Sequence, residues 1–135
     1  MLERIEKQIW QWAETTPNKV AVKSGKKSAT YLELCQRILG ARDLFASQLS
    51  QKKGNVMILA AGKQIEFVYA YFGADLAGLK VVPIDVATNS TRLDYIVSHT
   101  KANLLIGFDD CEQDLPKVSL KCFADIESEF VEPDF

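Results

Sequence analysis

Val56-Met57-Ile58-Leu59-Ala60, a helical pattern over residues 64–77, Gly78, and then Lys80-Val81-Val82-Pro83-Ile84 form the stretch that decides the fold. Five consecutive apolar residues suit a strand buried on both faces, as in a parallel sheet. After Gly62, the residues Ile65, Val68, Phe72 and Leu76 recur on one helical face, with Tyr71 flanking it. Gly78 stands where a left-handed C-terminal cap belongs. Pro83 lacks the amide a central strand needs, so it ends or edges the second strand. Strand, helix and strand joined by a few residues imply parallel pairing through a right-handed crossover.

The pattern continues toward the C-terminus. Asn89-Ser90-Thr91 offers a choice of N-caps for a helix with Leu93, Ile96 and Val97 inward. Ala102-Asn103-Leu104-Leu105-Ile106 is the next strand. Periodicity weakens from Phe108, and residues 108–135 read as a weakly patterned acidic tail in which Val118-Ser119-Leu120 suggests one more strand.

Toward the N-terminus, Thr30 and Glu33 have capping-box spacing: each side chain can reach the other's backbone amide. Leu34, Ile38, Ala41, Phe45 and Leu49 then make a helical stripe, with Gly54 in the following turn. Earlier still, Lys19 to Lys23 alternates like a strand, Gly25 suits a turn, and Ser28-Ala29 begins a return strand. This hairpin is expected to sit apart from the main sheet. Residues 2–14 read as a helix with Leu2, Ile5, Ile9 and Trp12 or Ala13 on its apolar stripe. Thr15-Thr16-Pro17-Asn18 stops it, because Pro17 disfavours the helical conformation at Thr16. The expected class is therefore α/β: a layered, mainly parallel sheet flanked by helices.

The 135 residues are 47% apolar and 25% charged, which is ordinary for a globular chain. A net charge of −2 gives no field to attract nucleic acid. Lys23 to Lys27 and Lys52-Lys53 lie beside Gly25 and Gly54 and read as solvated turns. No apolar run approaches the roughly 20 residues of a membrane span. Cys35, Cys111 and Cys122 form no CxxC, and His99 is the single histidine, which is too few ligands for a zinc site of the usual type. An odd cysteine count and an early mixture of charges at the N-terminus point to a reducing cytoplasm.

Familiar chemical motifs are absent. The sequence holds no GxGxxG, no GxxxxGK[ST] and no GxSxG. His99 lies near a helix end, where the dipole favours a cation, and is read as structural. Asp109-Asp110 and the pair Glu127 and Glu129 are read as solvated loop.

Several segments in order carry a resemblance. They are Pro17-Asn18-Lys19-Val20-Ala21-Val22, then Thr30-Tyr31-Leu32-Glu33-Leu34, then Glu66-Phe67-Val68-Tyr69-Ala70-Tyr71. Asp75-Leu76-Ala77-Gly78-Leu79-Lys80-Val81-Val82-Pro83-Ile84-Asp85, Arg92-Leu93-Asp94-Tyr95-Ile96 and Leu104-Leu105-Ile106 follow. With this spacing the chain resembles the opening of adenylate-forming acyl-activating enzymes, the AMP-dependent synthetase and ligase family, over about residues 5–107. It departs from their pattern at Asn55 and at Ala61-Gly62-Lys63, both in loops.

The resemblance implies that residues 1–135 are an N-terminal subdomain fragment of an AMP-binding domain. It implies a parent enzyme that uses ATP and Mg²⁺ to turn a carboxylic acid into an acyl adenylate. The acyl group then passes to a thiol, coenzyme A or a carrier-protein pantetheine. Pro83-Ile84-Asp85 leans toward amino-acid-activating relatives and Leu79-Lys80-Val81-Val82 toward acyl-CoA ligases, and the second is preferred. The family's phosphate loop, its aromatic-Thr-Glu segment, its ribose-binding Asp and its C-terminal lysine do not occur in this sequence. No catalytic, cofactor-binding or metal-binding residue is therefore assigned, and the chain alone is expected to be inactive. Its partner would be the remainder of the enzyme, and exposed apolar surface would favour self-association. Two alternatives stand beside this: a structural fragment that pairs with a partner chain, and a stand-alone flavodoxin-like nucleotide-binding or interaction module. The module's anion would sit at the Ala60-Ala61-Gly62-Lys63 turn.

Overall fold

The computed structural model describes residues 4–48 and 55–135. Leu2, Leu49, Lys52, Lys53 and Gly54, which figure in the sequence patterns above, lie outside them. The helices are α1 (Ile5–Thr15), α2 (Tyr31–Gln48), α3 (Glu66–Leu76) and α4 (Ser90–Thr100). The strands are β1 (Val20–Ser24), β2 (Lys27–Thr30), β3 (Val56–Ala61), β4 (Lys80–Asp85), β5 (Leu104–Ile106) and β6 (Lys117–Val118). A 3-10 turn covers Leu120–Phe123.

Among these, β4, β3, β5 and β6 form one parallel sheet in that order. The apolar run thus becomes β3, hydrogen-bonded on both sides. Its side chains alternate between two cores. Met57 and Leu59 join Leu104, Ile106 and the helices α2 and α3 on one face. Ile58 and Ala60 join Leu105, Phe108 and Leu93 of α4 on the other. A strand covered on both faces must be apolar at every position, which is why no alternation is visible there. Pro83 pairs opposite Leu59 on the edge strand β4, where its missing amide costs no ladder bond.

The hairpin of β1 and β2 forms a separate two-stranded antiparallel sheet that turns at Gly25. Helix α1 ends at Thr15, and the Thr16 that caps it has a non-helical backbone ahead of Pro17. The capping box is present: the Thr30 amide donates to Glu33 Oε1 at 3.0 Å and the Glu33 amide donates to Thr30 Oγ1 at 3.2 Å. Thr30→Ala should lower stability in urea melts by about 0.5–2 kcal/mol. An unchanged midpoint would mean the box contributes nothing. Leu34, Ile38, Ala41 and Phe45 are all buried as expected. Gly78 has φ +82°, and the Leu79 amide donates back to Ala74 O at 3.0 Å, the bond of a Schellman cap. Asn89 is the cap chosen at α4, its Oδ1 accepting from the Arg92 amide at 2.9 Å.

Three expectations are corrected. In α1 the buried face is Glu6, Trp10 and Ala13, whereas Ile5 and Trp12 are exposed. In α3 the inward face is Tyr69, Ala70, Gly73 and Ala74, with Val68, Phe72 and Leu76 only half-buried. Small residues win there because α2 approaches so closely: a Cβ on Gly73 would lie 2.5 Å from Ala41 Cβ and 3.0 Å from Arg42 N. The third correction concerns residues 118–120. Strand β6 stops at Val118, and Ser119 instead caps the 3-10 turn, its Oγ accepting from the Lys121 amide.

The weakly patterned tail lacks regular structure beyond Phe123 but is packed. The Ser128 amide donates to Gln36 O, and Arg37 Nη1 donates to Ile126 O. Ser128 Oγ donates to Asp43 Oδ2 at 2.7 Å. Backbone atoms of Glu127 pass so close to Gly40 that an added Cβ would lie 2.8 Å away. The tail then reaches Trp10, whose indole Nε1 donates to Val131 O at 2.7 Å. Phe130 stacks on that ring and Phe135 meets it edge-on.

Candidate functional site

In a parallel sheet the carboxyl ends of the strands share one edge, and ligands of open α/β folds gather there. Here that edge carries the turns after Ala61, Asp85 and Ile106. They are tied to one another and to the hairpin. The Val86 amide donates to Ala61 O at 3.1 Å. Asp85 folds back on its own turn, Oδ1 accepting from the Ala87 amide at 2.8 Å. Ser24 of the hairpin donates its hydroxyl to Lys63 O. At the start of α3, the Phe67 and Val68 amides donate to the carbonyls of Gln64 and Ile65. At the start of α4, Asn89 occupies the Arg92 and Leu93 amides.

A phosphate needs converging free amides or a cation aimed at one point. At the turn Ala60-Ala61-Gly62-Lys63, Ala60 is buried, the Lys63 carbonyl is taken by Ser24, and the Phe67 and Val68 amides that follow are engaged. The described residues do not bring three or more His, Cys, Asp or Glu side chains together for a metal. Mg²⁺ therefore finds no assembled set of such ligands among the described residues of this edge.

A polar cleft of about 490 Å³ lies between the hairpin, α2 and α3, lined in part by Lys27, Glu33, Arg37, Glu66 and Tyr69. Lys27 Nζ contacts the buried Glu66 Oε1 at 2.6 Å, which fastens the hairpin to α3. Burial, above all, raises the Tyr69 phenol beyond its ordinary value, so at neutral pH it is a hydroxyl. Burial likewise pushes the Cys35 thiol up to about 12, leaving no thiolate to act as nucleophile.

The remaining chemical side chains are dispersed. His99 is in the last turn of α4, exposed and stacked on Tyr95 with ring centroids 5.6 Å apart. Asp109 and Asp110 are exposed after β5, and Glu127 and Glu129 are exposed along the tail. Cys111 and Cys122 are free thiols. The cluster that sequence reading missed is Arg4, Glu6 and Asp75. Arg4 Nη2 contacts Asp75 Oδ2 at 2.7 Å and approaches Glu6 Oε2 at 3.5 Å. Its sequence signal is faint, because Glu6 occupies a buried helical position that periodicity reserves for an apolar residue.

Comparison with known proteins places this scaffold. The profile of the family described as AMP-binding enzyme matches residues 9–132. A linear gramicidin synthase of Brevibacillus parabrevis is 29% identical over 119 residues, covering 87% of this chain and 2% of that protein. Bacitracin synthase 3 of Bacillus licheniformis is 29% identical over 112 residues, covering 76% of this chain and 2% of that protein. The chain thus spans about 2% of the length of these curated relatives. Among solved structures, the N-terminal subdomain of Klebsiella oxytoca NpsA in complex with 3-hydroxybenzoyl-AMSN superposes with a TM-score of 0.79 at 15% identity, covering 95% of this chain and 34% of that one. The AMPPNP-bound form of the nonribosomal peptide synthetase FmoA3 superposes with a TM-score of 0.80 at 19% identity, covering 96% and 14%. At such identities the likeness is one of fold.

Proposed function

This chain belongs to the AMP-binding enzyme family, and on that premise we propose that it is scaffold from the N-terminal subdomain of a peptide-synthetase adenylation domain. The parent enzyme joins a carboxylic acid to ATP, forms an acyl adenylate and pyrophosphate, and delivers the acyl group to a thiol. The observation that carries this reading is the family match across residues 9–132, on a parallel sheet flanked by helices. Residues 1–135 build and brace the sheet, and groups elsewhere in the parent handle the phosphates. ATP and Mg²⁺ act there, and no step is assigned to side chains of this chain.

The preference for coenzyme A drawn from Leu79 to Val82 finds no support in the relatives. The two curated relatives at 29% identity are gramicidin and bacitracin synthases, which favours an amino acid as substrate and a carrier-protein pantetheine as acceptor. The test is thioester formation by the protein that carries this chain in its full reading frame. Loading of a pantetheine-bearing carrier domain with an amino acid is expected. Acyl-CoA formation with an unloaded carrier would return the reading to the acyl-CoA ligases.

The exposed Val86 and Tyr95 and the open edge along β4 also favour self-association of the separate chain. Light scattering over a concentration series should show a rising mean mass. A constant monomer mass up to millimolar concentration would remove this expectation.

A further inference from the structure

Among the described residues, one buried side-chain oxygen has no hydrogen-bond partner. Glu6 is 3% exposed, and its Oε2 makes no hydrogen bond among the described residues. Its neighbour is a second carboxylate, Asp75, near the C-terminal end of α3. Both contact the same guanidinium nitrogen of Arg4, at 3.5 Å for Glu6 and 2.7 Å for Asp75. A single positive charge cannot neutralise two carboxylates, and Asp75 holds the shorter contact. The other charged groups do not relieve this. Among the described residues those acting on Glu6 are Asp75 from α3 and Arg4 at the start of its own helix, and α2 and the tail add none.

We propose that Glu6 and Asp75 form a proton-sharing latch, in which one proton between the two carboxyls docks the first turn of α1 against α3 and its loss releases that turn. Protonated Glu6 can donate to Asp75, while Asp75 keeps its charge against Arg4. Ionised, Glu6 becomes a desolvated anion facing a like charge. Burial first, and the Asp75 carboxylate next, push the Glu6 carboxyl up to about 7. Asp75 is held below its ordinary value, by its hydrogen bond with Glu6 first and then by Arg4, against the opposing effect of burial.

The sign follows from linkage. Between the ordinary value of 4.5 and about 7, the folded chain holds a proton at Glu6 that the unfolded chain has lost. Stability contributed by the latch is therefore full below that window and falls as pH rises through it. This is opposite to the usual behaviour of a salt-bridged carboxylate. Asp75 contributes the ordinary way, with stability present above 3.8 and lost as acid protonates it in the folded state. The latch thus opens toward alkaline pH, and Trp10, one turn further along the same buried face, reports it.

The test is a carboxyl-carbon NMR titration of the 135-residue chain, with the Trp10 indole N–H signal followed in parallel. Glu6 should titrate with a midpoint near 7, and the indole signal should move with the same midpoint. The urea midpoint should be lower at about pH 8 than at about pH 5.5, and Glu6→Gln should remove that difference. Asp75→Asn should shift the Glu6 midpoint downward while keeping the fold. An ordinary Glu6 midpoint near 4.5, or an indole signal indifferent to the Glu6 titration, would overturn the proposal. So would a pH dependence of stability that survives in Glu6→Gln.

Discussion

Replacing Trp10 by alanine is expected to destabilise the chain by about 3–5 kcal/mol, the range for deleting a large buried aromatic. That is a large share of the stability of a domain this size, on the order of 5–15 kcal/mol. The ring is 2% exposed and lies between α1 and the tail, touching Phe130 and Phe135. The substitution also orphans the Val131 carbonyl that the indole N–H serves. Trp10→Phe should cost less than Trp10→Ala, because it keeps an aromatic ring and loses the hydrogen bond, about 1 kcal/mol, together with part of the buried ring volume. Urea melts give both numbers. Limited proteolysis should also find residues 130–135 newly cleavable in Trp10→Ala. A loss under about 1 kcal/mol with the tail still protected would mean that Trp10 does not anchor it.

Gly73→Val should cost about 3 kcal/mol, the upper end of the range for overpacking. The new Cβ would lie 2.5 Å from Ala41 Cβ and 3.0 Å from the Ile38 carbonyl oxygen, and two of the three nearest atoms are backbone of α2 rather than the end of a flexible side chain. Gly78→Ala makes an instructive contrast. Nothing lies within 4 Å of its added Cβ, and only its φ of +82° resists, so a loss of about 1–2 kcal/mol is expected from backbone strain alone. Denaturant melts of both variants decide the matter. If Gly73→Val melts like the parent, the close approach of α2 and α3 is wrong.

These two variants mark where the sequence was legible and where it was not. Local signals read well because their causes lie within a few residues. The Thr30 and Glu33 capping box needs only its own turn, and the glycine cap at Gly78 needs only its own helix. The continuous apolar run at residues 56–60 read correctly as a strand covered on both faces, because burial on two sides removes every polar position.

Failures came where a distant segment decides which face is buried. In α1, apolar spacing nominated Ile5 and either Trp12 or Ala13; Ala13 is buried, but Ile5 and Trp12 are exposed, and the tail, 121 positions away at Val131, covers Trp10. In α3, hydrophobicity favoured Phe72 and Leu76, while helix-to-helix distance favoured the small Gly73 and Ala74. Glycine adds nothing to an apolar stripe, so a stripe cannot reveal close packing. The tail itself has no periodicity to read, because it follows the surfaces of α1 and α2 through single side chains and backbone bonds.

The candidate site follows the same division. That no phosphate-binding motif occurs could be read directly, and the turn at Ala60 to Lys63 needed coordinates to be weighed. Its helix-start amides are occupied by neighbouring carbonyls, and Ser24 from the hairpin is fastened to Lys63. The pairing of Glu6 with Asp75 was invisible, since 69 positions separate two acids with nothing unusual about either in sequence.

Residues 1–135 are proposed to be adenylation-domain scaffold, with the phosphate chemistry in other parts of the parent. Amino-acid-dependent exchange of pyrophosphate into ATP tests it most directly, comparing the 135-residue chain with the protein of the full reading frame. Background exchange is expected from the chain with every amino acid, and clear exchange from the full protein with at least one. Exchange above background by the purified 135-residue chain would contradict it.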